Sequence, residues 1–220
     1  MTSPDHDSHS GNDAHRAHHF ATFAQQEHAA RLGMWLFLAT EILLFGGLFV
    51  AYAVYRSVFG EAFHEASRHL DAQLGTINTV VLITSSLAVA ASIHYAKHDK
   101  RAAVLACLAI ALLLALAFLG IKSIEYLHKF HEGALPGKYY SYSEVQLPGA
   151  SLFYTLYFLM TGLHGVHVVV GMGVLTWMGV RAWRGEFAGG YHLPLEIGGL
   201  YWHLVDVIWI FLYPMLYLIT

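Results

Sequence analysis

The chain has 220 residues, of which 56% are hydrophobic and 12% charged, with a formal net charge of -3 and a mean hydropathy of +0.49. That much apolar material exceeds what one small soluble core uses, so a polytopic membrane protein is the expectation. The weak negative charge excludes a basic footprint for nucleic acid, and the single Cys107 excludes an internal disulfide.

Residues 1–31 are a polar, histidine-rich tail without the apolar core of a signal peptide. Helix is expected from about Thr22 toward Leu32. His6, His9, His15, His18, His19 and His28 form a loose array that titrates near neutral pH. A solvated tail is the simplest reading of it, and a proton-buffering surface or an adventitious metal site are the others.

Residues 32–220 are expected to be an all-α integral membrane domain, a bundle of five transmembrane helices. A spanning helix needs roughly 20 mostly apolar residues to cover about 30 Å of hydrocarbon. Five stretches meet that length: about 33–55, 74–95, 102–124, 150–178 and 195–219. The fourth is long enough to tilt, with Pro148 and Gly149 marking its start, and a polar, aromatic loop is expected between the third and fourth. Small residues at close-packing spacing, Ala88 with Ser92 and Gly162, Gly165, Gly171 and Gly173, predict tight helix contacts.

Five spans put the termini on opposite sides. The side of the N-terminus carries Arg16, Arg31, Lys97, Lys100, Arg101, Arg181 and Arg184, and the other side Arg56, Arg68, Lys122, Lys129 and Lys138. The excess, and the dense "KHDKR" loop at 97–101, predict the N-terminus inside and the C-terminus outside.

Ionisable groups within a span are costly unless they face protein or water. Glu41, deep in the first span, reads either as a proton-exchanging carboxyl or as a neutral interhelical hydrogen-bond donor. His164 and His167 are three apart on one helix face; interhelical hydrogen bonding is the main reading and a haem or metal site the minor one. His203 and Asp206, also three apart, are expected to pair with each other or with the face of His164 and His167, or to form a proton relay. No phosphate loop, dinucleotide fingerprint, CxxC, HExxH or nucleophile elbow is present, so no catalytic residue or metal ligand is assigned to this chain.

Three blocks, "LGMWLFLATEILLFGGLFVAYAVYR" (32–56), "TGLHGVHVVVGMGVL" (161–175) and "LEIGGLYWHLVDVIWIFLYPMLYLI" (195–219), resemble subunit III of haem-copper terminal oxidases, most closely the bacterial cytochrome c oxidase form. The resemblance covers nearly all of the chain after about residue 30. It implies an accessory subunit with no haem or copper of its own, those cofactors residing in partner subunits. Such a subunit packs beside subunit I, with subunit II and smaller subunits in the same complex. It binds phospholipid and supports proton uptake and turnover of an enzyme that reduces oxygen to water. By the same resemblance Glu41 matches a buried, carbodiimide-reactive glutamate, and His164, His167, His203 and Asp206 match intramembrane polar positions. Arg181 falls where the family has a lipid-binding arginine.

The implied location is the bacterial inner membrane. Longer members have seven helices, whereas this chain resembles a five-helix form that starts at their third, so the lipid cleft is less complete. The corresponding subunit of a quinol oxidase or a nitric-oxide-reductase-like complex is the alternative. A stand-alone membrane cytochrome or transporter is the rival of a different class, and membership of a respiratory supercomplex stays open.

On this reading the tail faces the side of proton uptake. Deleting residues 2–20 is expected to slow turnover at alkaline pH, and unchanged turnover across pH would remove the idea of a proton-collecting tail.

Overall fold

The computed structural model describes residues 22–136, 139–187 and 192–218. The tail histidines before residue 22 and Lys138 lie outside the described residues. Among the described residues six helices follow in order: α1 (Phe23–Val58), α2 (Gly60–Arg68), α3 (Ala72–Ala96), α4 (Arg101–His131), α5 (Ala150–Arg184) and α6 (Leu193–Tyr213). A π-turn, Pro214–Leu218, continues α6. All but α2 are long and apolar enough to cross a membrane, which agrees with the five expected spans.

The helix ends follow local chemistry. Thr22 caps α1 by accepting from the Gln25 amide, so the helix expected to begin near Thr22 does so. Asp71 caps α3 by accepting from the amides of Gln73 and Leu74. Gly185 ends α5 with φ of 81°, a left-handed conformation that favours glycine. α3 and α4 are joined by residues 97–100, with Asp99 at φ of 53°, and the two helices pack side by side as a tight antiparallel hairpin. Pro214 has no N–H to continue the regular pattern of α6, and the chain widens there into the π-turn.

α6 is the centre of the bundle and packs on α3, α5 and α1. Of its apolar stretch 56% is buried within the protein, against 11% for α1, which lies at the edge. The largest enclosed side chains of the core are mostly aromatic, Trp202, Trp209, Tyr52, Tyr154, Phe63 and Phe118 among them. Ring edges meet ring faces, as in Phe118 against Trp209 at 4.9 Å and 86°, the geometry preferred by opposed quadrupoles.

Three features depart from the sequence reading. The stretch 125–131, expected as loop, continues α4 to His131. A short amphipathic helix, α2, occupies the expected loop after the first span and buries Ala62, Phe63, Ala66 and Ser67 over the end of the bundle. Phe63 meets Phe153 and Tyr52 there, at 5.4 and 5.3 Å. Lys122, at the end of the expected third span, and Lys129, in the expected loop, both count in the sequence as charges of the far side and are instead 7% and 4% exposed and ion-paired. Their aromatic neighbours and the extra two turns of α4 draw them into the protein.

Lys129 donates to the His69 carbonyl at the end of α2 at 2.8 Å, and the Tyr142 hydroxyl meets the His69 ring at 3.1 Å. Burial, aided by the Glu132 and Glu144 carboxylates, pushes the Tyr142 hydroxyl above its ordinary pKa, so it holds α2 and the following loop as a neutral group.

Of the expected small-residue contacts, Gly171 makes the closest one. A Cβ there would come within 2.7 Å of the Trp202 indole, whereas one at Gly165 or Gly173 would meet nothing within 4 Å. Gly171→Ala is therefore expected to cost about 1 to 3 kcal/mol through overpacking, read as a lowered Tm in detergent, while Gly165→Ala leaves Tm unchanged.

Candidate functional site

Hydrocarbon offers no hydrogen-bond partner, so the intramembrane polar side chains define the candidate site. The first group joins α1 to α5. Glu41 Oε2 lies 2.8 Å from His167 Nε2, both side chains being 14% exposed. The other nitrogen of the same ring, Nδ1, faces the Leu163 carbonyl at 2.8 Å. A carbonyl only accepts, so Nδ1 carries a proton. The Nε2 to Glu41 bond then contains a single proton, and the pair is neutral overall whichever partner holds it. Phe45 packs edge-on against the His167 ring at 5.2 Å, and the Tyr201 hydroxyl donates to the His167 carbonyl at 3.2 Å. Glu41 thus has a hydrogen-bond partner on another helix, His167, which spacing alone did not identify.

His164 departs from expectation. It is fully buried, and neither ring nitrogen has a hydrogen-bond partner among the described residues. Its ring lies edge-on to Phe118 at 5.6 Å and tilted against Trp209 at 5.3 Å. Residues three apart are offset by about 60° around a helix. That offset turns His167 toward α1 and His164 into the aromatic core between α4 and α6.

His203 and Asp206 do not pair with each other or with the His164 and His167 face. His203 Nδ1 bonds the Ser86 hydroxyl of α3 at 2.6 Å, and the same hydroxyl is the polar neighbour of the Asp206 carboxyl. Asp206 Oδ1 is buried without a partner. α3 packs against this face of α6 and brings a hydroxyl within reach of both side chains, so each turns to Ser86. Trp209, one turn further on, donates its indole N–H to Thr79 of α3 at 3.0 Å.

Arg181, near the end of α5, donates through Nε to Glu186 at 2.6 Å, with its guanidinium 4.9 Å over the Trp177 ring. At the same end of the bundle Arg31 and Lys97 converge on Glu196, at 3.0 and 2.9 Å. Arg31 and Glu196 line a cavity of about 270 Å³ that His203 also lines.

Sequence reading missed a second buried group altogether. Lys122 and Glu125, one turn apart on α4, are ion-paired at 3.0 Å among Tyr157 and Tyr217. The K-x-x-E spacing placed both on one face of α4, and the early end assigned to that span hid it. Among the described residues no three His, Cys, Asp or Glu side chains are grouped to hold a metal ion.

Glutamine at position 41 keeps the volume and can donate an amide N–H to His167, whereas leucine leaves a buried imidazole nitrogen unpartnered. Glu41→Gln is expected to preserve assembly and Tm, and Glu41→Leu to cost about 1 to 2 kcal/mol. Loss of assembly in the glutamine variant would show that the pair must be ionised.

Residues 11–220 match the family described as cytochrome c oxidase subunit III. The chain is 32% identical over 193 residues to a probable quinol oxidase subunit 3 of Staphylococcus haemolyticus, covering 86% of this chain and 88% of the relative. It is 31% identical over 188 residues to a cytochrome c oxidase subunit 3 of Synechocystis sp., covering 85% and 74%. With a quinol oxidase subunit 3 of Bacillus subtilis it shares 29% over 192 residues, 85% of each chain. The chain belongs to the subunit III family of haem-copper terminal oxidases.

Proposed function

We propose that the chain is a cofactor-free accessory subunit of a proton-pumping cytochrome c oxidase, packed beside subunit I in the bacterial inner membrane with its N-terminus inside. Family membership supports a place in a terminal oxidase complex. The carrying observation is that Glu41, His167, His203, Lys122 and Glu125 direct their polar atoms at one another and at hydroxyls between helices. Groups engaged in this way hold a bundle together, and His164 packs among the rings of Phe118 and Trp209. The haem and copper of such an enzyme belong to its other subunits. This chain then supplies a rigid neighbour for subunit I and an inner face that carries Arg31, Lys97, Lys100 and Arg101. Moving Lys122 and Lys129 from the far-side count into the protein strengthens the charge bias toward an inside N-terminus.

Phospholipid contact at Arg181 belongs to the same proposal. The guanidinium there is shared with Glu186, so a lipid phosphate would add to that pair rather than meet a lone cation.

A second reading, the equivalent subunit of a quinol oxidase, is favoured by the names of the Staphylococcus and Bacillus relatives and by their similar length. Electron-donor choice belongs to other subunits, and no residue of this chain discriminates the two. Affinity purification through this chain in mild detergent is expected to bring down a large haem-containing subunit and phospholipid, with oxygen uptake driven by reduced cytochrome c. Uptake driven only by quinol would move the assignment to the second reading. A lone chain with its own haem spectrum would overturn both.

A further inference from the structure

Lys122 and Glu125 sit just beyond the apolar residues 102–121 of α4, and their polar atoms are used completely by two tyrosines from elsewhere in the chain. An ammonium has three protons, and three oxygens surround this one: Glu125 Oε2 at 3.0 Å, the Tyr157 hydroxyl at 3.1 Å and the Tyr217 hydroxyl at 2.7 Å. Both hydroxyls donate hydrogen bonds to Glu125 Oε1, at 2.6 and 2.5 Å. The rings of Tyr126, Tyr157, Trp209 and Tyr217 enclose the ammonium at 5.0 to 5.4 Å. Each tyrosine therefore serves the cation and the carboxylate at once. Losing either leaves both charges under-bonded where little of either side chain reaches the surface.

Tyr157 is held within α5, but Tyr217 depends on the π-turn after α6. That turn, with the last residue of α6, is tied to two further helices. The Tyr52 hydroxyl of α1 donates to the Met215 carbonyl at 2.7 Å, and Tyr213 bonds Thr76 of α3 at 2.7 Å. Gly75 leaves room for the Tyr213 and Tyr217 rings, which a Cβ would meet at 2.8 and 3.2 Å. Without the widening at Pro214 the register of Tyr217 would shift away from α4.

We propose that the π-turn at 214–218 is a clasp that closes over the Lys122–Glu125 pair, making the closed bundle conditional on the docking of Tyr217. α4 carries both charges into the membrane before α5 and the turn are made, so the pair lacks two of its partners until those segments arrive. An undocked turn leaves the charges exposed and the bundle open to proteases. The device ties the docking of this turn to the survival of the chain, and it operates within this chain whichever oxidase the chain joins.

The test follows proteolysis of the N-terminally tagged full chain in native membranes, in two backgrounds. Tyr217→Phe keeps the ring and removes only the hydroxyl. In the otherwise unaltered chain it is expected to speed digestion at least threefold. In a Lys122→Met, Glu125→Leu background, which removes both charges, that background variant should accumulate to within twofold of the unaltered chain, and Tyr217→Phe should then have no further effect. Equal effects of Tyr217→Phe in the two backgrounds, no effect in the unaltered chain, or failure of the double variant to accumulate would each overturn the clasp.

Discussion

The constraint on which the rest of the structure depends is that hydrocarbon supplies no partner for a polar group. Backbone groups meet it by forming helices, but side chains can meet it only by finding one another across helix contacts. The Glu41–His167 bond fixes where α1, otherwise an edge helix with little buried surface, lies against α5. The Ser86–His203 bond and the Thr79–Trp209 bond set the depth of α6 against α3. At the far end Lys122, Glu125, Tyr157 and Tyr217 bring α4, α5 and the π-turn to one point.

Between these polar ties the packing is aromatic and directional. A ring set edge-on to its neighbour loses contact when helices slide or rotate, so the core around Phe118, His164 and Trp209 resists shear in a way that a purely aliphatic core would not. Gly171 plays the complementary part by letting the Trp202 indole reach the backbone of α5. The water-facing ends are closed separately. α2 and the Tyr142 loop cover one, and the Arg31, Lys97 and Glu196 group gathers α1, α3 and α6 at the other.

Much of this architecture was legible in the sequence because its signals are local. The five apolar stretches, the start of helix near Thr22 and the break at Pro148 and Gly149 depend on neighbouring residues alone. The blocks around Glu41, His164 and His203 carried the family. Partner identities were not legible, because they depend on how helices rotate against each other. Two histidines three apart go to different neighbours, and a hydroxyl on α3 intervenes where His203 and Asp206 were expected to meet. Lys122 shows the limit most clearly. A lysine at the end of an apolar run reads as a charge of the far side, and only the tyrosines of distant segments make it an interior residue.

The single proton in the Glu41–His167 bond has an electrical consequence. A membrane voltage does work of about 2.3 kcal/mol per 100 mV on each elementary charge carried across it. A pair that is neutral overall presents no net charge to that field, and a hop of its proton across 2.8 Å from one helix to the next covers little of the span. A membrane voltage therefore does little work on the contact between α1 and α5.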